Sequence, residues 1–201
     1  YPFVKGIMVG GGEETFLDLT KYYLQEGVGS LEEIPGLALP TGYTSERDLV
    51  DLSGIPFLYS AGQADALNDF ENRIIYYESS RGCPFRCSYC LSSIDKMVRR
   101  RDLELVKREL QFFLDHKVPQ VKFIDRTFNC NHEHAKAIWH YISENDNGVT
   151  NFHFEIAADI LDEEELVLLS QMRPGLVQLE IGVQTTNPET LKEIRRVTNL
   201  D

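Results

Sequence analysis

Apolar positions along this chain follow two regimes, divided near residue 73. Beyond that point, short apolar runs alternate with segments of helical spacing. The runs at 74–79, 120–124, 152–157 and 176–183 predict strands. Between them, Val106, Leu110, Phe113 and Leu114 share one face of a helix over 102–116, and Ala135, Ile138, Trp139 and Ile142 do the same over 132–144. Asp162, followed three residues later by Glu165, is a capping box that opens a third helix, and Thr186 with Glu189 predicts the cap of a fourth over 188–197. Four successive βα units imply parallel strands joined by right-handed crossovers.

Ahead of residue 73 the rhythm is looser. A strand over 4–9, the turn Gly10-Gly11-Gly12 and a helix from Glu13 or Glu14 to Leu24 lead into a stretch punctuated by Gly and Pro. Apolar islands at 34–39 and 55–59 interrupt that stretch without forming a long periodic segment. It reads as a linker that packs against something else. The expected organisation is an α/β piece at 1–30, a linker at 31–72 and a repetitive α/β domain at 73–201.

The chain has 201 residues, enough for one sizeable core or for one domain and part of another. With 42% hydrophobic and 26% charged residues, the composition is that of an ordinary globular protein. A net charge of -12 argues against a broad phosphate-binding surface, so nucleic acid is not an expected partner. Lys96 and Arg99-Arg100-Arg101 form a local basic cluster, read here as solvating a helix start. No run approaches the ~20 apolar residues of a membrane span, and no charged-then-apolar leader is present, so no membrane association is expected. Free thiols fit a reducing cytoplasm. The first residue, Tyr1, lies in an apolar run with no initiator Met, which suggests an excerpt of a longer protein.

Three of the four cysteines fall within eight residues, Cys83-Pro84-Phe85-Arg86-Cys87-Ser88-Tyr89-Cys90, directly after the first strand of the repetitive part. Cysteine thiolates are the usual ligands of a four-iron cluster, and three close thiolates leave one iron open to a small molecule. A zinc site closed by Cys130, His132 or His134 is the competing reading of the same residues. It would make the chain a non-catalytic metal-binding module, of zinc or of an electron-transfer iron-sulfur type. A disulfide within the run does not suit a chain of this kind. Gly82 would let the backbone turn sharply into the cysteine loop, and Pro84 would stiffen it.

The Cys-x3-Cys-x2-Cys spacing with an aromatic residue before the last Cys resembles the radical S-adenosylmethionine (radical SAM) enzymes. The resemblance implies Cys83, Cys87 and Cys90 as ligands of a [4Fe–4S] cluster whose open iron chelates the amino and carboxylate groups of SAM. It also implies reductive cleavage of SAM to a 5'-deoxyadenosyl radical, an electron donor such as flavodoxin or ferredoxin, and a substrate the sequence does not reveal. The fold implied is a partial parallel (β/α) barrel of α/β class, with only four of six units in this stretch. Tyr89 would lie against the adenine. Asp125, in Asp125-Arg126-Thr127-Phe128-Asn129, resembles the Asp-containing variant of the SAM amino-group turn found in cobalamin-associated members. Glu155 is a candidate contact for SAM or substrate. Glu180-Ile181-Gly182-Val183-Gln184-Thr185 is similar to the family's Gly-Val-Gln-Ser segment, which nominates Gly182 and Gln184. Arg195 matches an Arg often found on the next helix, whereas Arg196 reads as surface charge.

Gly10-Gly11-Gly12-Glu13-Glu14-Thr15-Phe16, with the later Ile34-Pro35-Gly36-Leu37-Ala38, resembles the tail of the cobalamin-binding domain that precedes some radical SAM cores, of which residues 1–30 would be the remnant. The Asp-x-His-x-x-Gly cobalamin motif is absent, so a corrinoid is expected only of the full-length protein. A methylthiotransferase would carry a second cysteine triad upstream, and no cysteine precedes Cys83. His132-Glu133-His134 reads as a solvated first helical turn with its imidazoles pointing apart, and Cys130 as either a partly buried free thiol or a mouth residue near the cluster.

Overall fold

The computed structural model describes residues 3–25, 29–59, 70, 72–95 and 97–200. Lys96, residues 60–69 and 71 of the expected linker, and residues 1–2 and 26–28 of the first expected piece lie outside the described residues. The chain divides into two compact units, Tyr1–Ile55 and Pro56–Asp201.

In the first unit, β1 (Ile7–Met8), β2 (Leu37–Leu39) and β3 (Gly42–Tyr43) form an antiparallel sheet in that order beside helix α1 (Glu13–Tyr23). The second and third strands arise where the sequence showed no periodic segment. At two and three residues they are too short for alternation to register. Gly36, at φ +78°, sets up the entry to β2, and a Cβ there would lie 2.8 Å from Thr15 Oγ1. Thr15 is buried on α1 and donates to Pro35 O, and Arg47 binds its hydroxyl together with the Glu14 and Asp18 carboxylates. The two acidic groups near Gly10-Gly11-Gly12 are thus engaged by a guanidinium of the same unit.

The second unit carries the site. Its main sheet is parallel, in the order β4 (Ile75–Tyr77), β7 (Gln120–Phe123), β8 (Asn151–Ile156), β9 (Val177–Ile181). A small antiparallel pair, β5 (Ser80–Arg81) with β6 (Arg99–Arg100), leaves and re-enters around the cysteine loop. Helices α2 (Leu103–Asp115), α3 (His132–Glu144), α4 (Glu163–Gln171) and α5 (Pro188–Glu193) follow the four strands in turn. The partial parallel β/α architecture expected from the sequence is therefore present.

Alternation on the strands decides which face the helices cover. Phe152, Phe154 and Ile156 of β8 are buried together with Val121 and Phe123 of β7, and pack with Val106, Leu110 and Phe113 of α2 and Ala135, Ile138 and Trp139 of α3 in one core. The opposite face is polar. Lys122, His153, Glu155 and Glu180 project there, with Lys122 Nζ 2.8 Å from Glu180 Oε2 and 3.6 Å from Glu155 Oε1. Strands buried on both faces read as continuous apolar runs. The charged alternation here instead marks a polar surface continuous with the functional cavity.

Two local expectations need correction. Arg99-Arg100-Arg101 is not a solvated helix start. Arg99 and Arg100 form β6, Arg99 pairs with Asp95, and Arg101 is buried against Glu109, which also accepts from Tyr77 Oη at 2.6 Å. The fourth helix is capped by Asn187, whose side chain accepts from Thr190 N, and not by Thr186; it ends at Glu193. Asn places its carbonyl one residue nearer the first turn, where Pro188 sits at the first helical position. The capping box of Asp162 and Glu165 forms as the sequence predicts.

Candidate functional site

The carboxyl ends of all four parallel strands converge on one cavity of about 260 Å³, the usual location of chemistry in parallel α/β folds. The cysteine loop forms one wall. Gly82 opens it at φ +100°, where an added Cβ would lie 2.5 Å from Met97 O, so no larger residue fits the turn. The loop is held by Cys83 N donating to Asp95 O (3.1 Å), Cys90 N to Cys87 O (3.1 Å) and Ser88 N to Ile194 O (2.9 Å). Cys83 and Cys87 are buried, Cys90 is half-buried, and all three line the cavity as free thiols. Three thiols on one cavity suit a group with soft, thiophilic metal corners. Cys130 is not on that wall, and burial pushes its thiol up.

Tyr89, Glu155, Gly182 and Gln184, nominated from the sequence, line the same cavity. Gln184 sits at φ +58°, a conformation that costs a non-glycine residue energy and tends to occur at functional sites. Its amide lies where a Cβ on Gly182 would reach, 2.5 Å away. The Tyr89 phenol is pushed up by burial and by neighbouring Cys87, and is drawn back by Arg196.

Two nominated residues are placed differently. Arg195 is exposed, with φ +55°, and it is Arg196 that reaches the cavity. The guanidinium of Arg196 donates to Gly182 O and, at 3.4 Å, to Tyr89 Oη. The left-handed turn at Arg195 ends α5 early and swings the next side chain inward. Asp125 is fully buried and lies off the cavity wall. One of its oxygens accepts from Ser79 N (2.9 Å); the other accepts from Ser79 Oγ (2.7 Å) and Ser80 Oγ (2.6 Å). A carboxylate so engaged fastens β7 to the root of the cysteine loop and has no free face for a ligand. Burial pushes its pKa up to about 6 against the pull of those serine donors.

His134 extends this network, its Nε2 lying 3.1 Å from Ser79 Oγ. It is buried, not solvated as the sequence suggested, because one turn of α3 folds it back over the Asp125 pair. Burial and Arg100 lower its pKa to about 4. His132 Nδ1, at the other end of that turn, lies 3.1 Å from Glu165 Oε2 of the α4 capping box, and Lys136 Nζ lies 3.5 Å from Asp162 Oδ2.

Glu180 and Asp159 are cavity residues the sequence reading did not single out. Glu180 stands two residues after Gln178 on β9 and two before Gly182, which directly follows the strand, a periodicity that was available in the sequence. Hydrogen bonding from Lys122 holds its carboxyl below the usual range. Asp159 lies in the short 3-10 turn Ala158–Ile160 that follows β8 and carries no such signal; it accepts from Asn199 N at 3.0 Å. Among the described residues, no helix is long and apolar enough to cross a membrane.

A parallel β/α sheet with a thiol-lined cavity at its carboxyl face defines the class of domain. Residues 77–201 match the Radical SAM superfamily model, and the chain belongs to that superfamily, whose enzymes use SAM and an iron-sulfur cluster. A protein of Pyrococcus horikoshii described as an uncharacterized methyltransferase is 26% identical over 119 residues, 58% of this chain and 25% of that protein. The fold is similar to TsrM from Kitasatospora setae, a radical SAM methyltransferase solved with tryptophan substrate and a SAM analogue (TM-score 0.71, 20% identity, 96% of this chain and 40% of that one). It is also similar to OxsB, a cobalamin-dependent SAM radical enzyme solved with aqua-cobalamin and SAM (TM-score 0.66, 21% identity, 93% and 29%). The chain thus spans well under half of each of these proteins.

Proposed function

We propose that Cys83, Cys87 and Cys90 hold a [4Fe–4S] cluster through three of its irons, that SAM binds beside it in the same cavity, and that the chain is the SAM-cleaving part of a larger radical SAM enzyme. The observation that carries this reading is the cavity's donor set. Three thiols line it, and among the described residues no fourth cysteine does. The residues that could close a zinc site do not line this cavity: His134 Nε2 sits on Ser79 Oγ, and His132 and Cys130 are off its wall. A cluster held by Cys83, Cys87 and Cys90 would supply the one electron that reductive cleavage of SAM to methionine and a 5'-deoxyadenosyl radical requires.

The chain's own residues bind and orient. Tyr89 forms the wall for the adenine, fastened by Arg196, which also ties down the backbone at Gly182. Gly182 and Gln184 offer close backbone approach and an amide. Glu155 and Glu180 offer carboxylate oxygens to the SAM ammonium and ribose, with Lys122 keeping Glu180 ionised. Asp125 acts through the serines at the root of the cysteine loop and does not touch SAM.

For the whole enzyme we favour methyl transfer, since TsrM and the P. horikoshii relative are both described as methyltransferases. Cobalamin would then belong to the full-length protein, and residues 1–30 to the end of its corrinoid domain. Electrons would come from a flavodoxin- or ferredoxin-type donor. The test is anaerobic reconstitution with iron and sulfide, followed by reduction and addition of SAM. About four irons per chain, with 5'-deoxyadenosine or a methylated product formed from SAM, support the reading. A colourless protein that takes up one zinc and leaves SAM intact contradicts it.

A further inference from the structure

Thr127 is a polar group that approaches one of the proposed ligand sulfurs, that of Cys83. Its Oγ1 lies 3.6 Å from Cys83 Sγ and 2.8 Å from Arg126 O, to which it donates. Thr127 is 7% exposed and Cys83 8%, so the contact is shielded on both sides. A hydroxyl has one proton and can donate to one of these two neighbours at a time. Opposite a free thiol, the Cys83 S–H donates to Thr127 Oγ1 and the hydroxyl proton can stay on the Arg126 carbonyl. A metal-bound cysteine is a thiolate with no proton to give. The contact then has a single donor, the threonine hydroxyl, and a bond to an ionised acceptor outweighs one to a neutral carbonyl.

Both sides of this contact are fastened to the same buried carboxylate. Thr127 follows Asp125 by two residues and opens the turn Phe128–Cys130, in which Cys130 N donates to Thr127 O at 3.1 Å. Cys83 follows Ser79 and Ser80, whose hydroxyls donate to Asp125. The hydroxyl is therefore held in place before any metal arrives.

We propose that Thr127 is a positioning residue that donates a hydrogen bond to the Cys83 thiolate and raises the reduction potential of the cluster. The proposal rests on the cluster reading above. Donors to cluster sulfurs stabilise the reduced state, which carries one more negative charge on the same atoms, and so raise the potential. The electron comes from the external flavodoxin- or ferredoxin-type donor, and the hydroxyl proton stays on its oxygen in both redox states.

The test is a redox titration of the reconstituted chain, followed by electron paramagnetic resonance, for wild type, Thr127→Val and Thr127→Ser. Thr127→Val should lower the ratio of reduced to oxidised cluster about tenfold at fixed poise, a shift of about 59 mV for one electron. Thr127→Ser should titrate like wild type. Thr127→Ala, which removes the hydroxyl without branching, should match Thr127→Val and replaces it where that variant does not load. Wild-type potentials in the Val and Ala variants overturn the proposal, as does a Ser variant displaced as far as Val. Failure of wild type to take up a cluster is a different result, and it overturns the reading of the site itself.

Discussion

A single methyl group at position 82 would meet the backbone carbonyl of Met97 at 2.5 Å, in a φ region that L residues avoid. Gly82→Ala should therefore cost about 1–3 kcal/mol and reduce iron uptake, read from urea unfolding and from iron content after reconstitution. His134 carries a pH signature. Its folded pKa of about 4 lies below the ordinary histidine value, so between those two values the unfolded chain binds more protons than the folded one, and stability falls as pH drops through that window. Asp125, with its pKa raised to about 6, contributes with the opposite sign. The difference between wild type and His134→Gln isolates the histidine: unfolding free energies measured from pH 7 to pH 4 should fall by roughly 3 kcal/mol more in wild type. A constant difference across that range would contradict the assignment. That Cys83, Cys87 and Cys90 share one cavity was legible in the sequence because their spacing is local. The placement of Asp125 off the cavity wall was not legible, because its partners, Ser79 and Ser80, lie more than forty residues away in sequence.

Among the elements, α2 and α3 were legible to within a residue or two because their apolar faces are long and periodic, whereas β2 and β3 were too short to show any period. Helix ends are decided by single side chains, and the two caps give opposite lessons. Asp162→Ala should cost about 1 kcal/mol, since the side chain of Asp162 accepts from Glu165 N at 2.8 Å and its backbone donates to Glu165 Oε2 at 3.0 Å. Asn187→Ala should destabilise α5 by a comparable amount, while Thr186→Ala should leave stability within ~0.5 kcal/mol of wild type. Urea midpoints of the three variants check this. Equal effects at 186 and 187 would return the cap to Thr186. Because Ile194 O and Arg196 at the end of α5 hold Ser88 and Tyr89, loosening this short helix should also weaken SAM binding.

For the molecule as a whole, the parallel β/α order was readable from alternating periodicities, and the convergence of four strand ends followed from it. The composition of the cavity was only half readable. Glu180 and Gly182 obey strand alternation, but the choice of Arg196 over Arg195 depends on one left-handed residue that leaves no mark in the pattern of apolar positions. The polar inner face of the sheet and the apolar helix-covered face divide the labour: one holds the core, and the other presents Lys122, Glu155 and Glu180 toward the thiol-lined end. The central claim is that three thiols hold a cluster with one corner left for SAM. Its most direct test is the electron paramagnetic resonance spectrum of the anaerobically reconstituted, reduced chain, recorded without and with SAM. A reduced four-iron signal that changes shape when SAM is added and is lost in Cys87→Ala is expected. A signal that SAM leaves unchanged, or one that survives in Cys87→Ala, would contradict it.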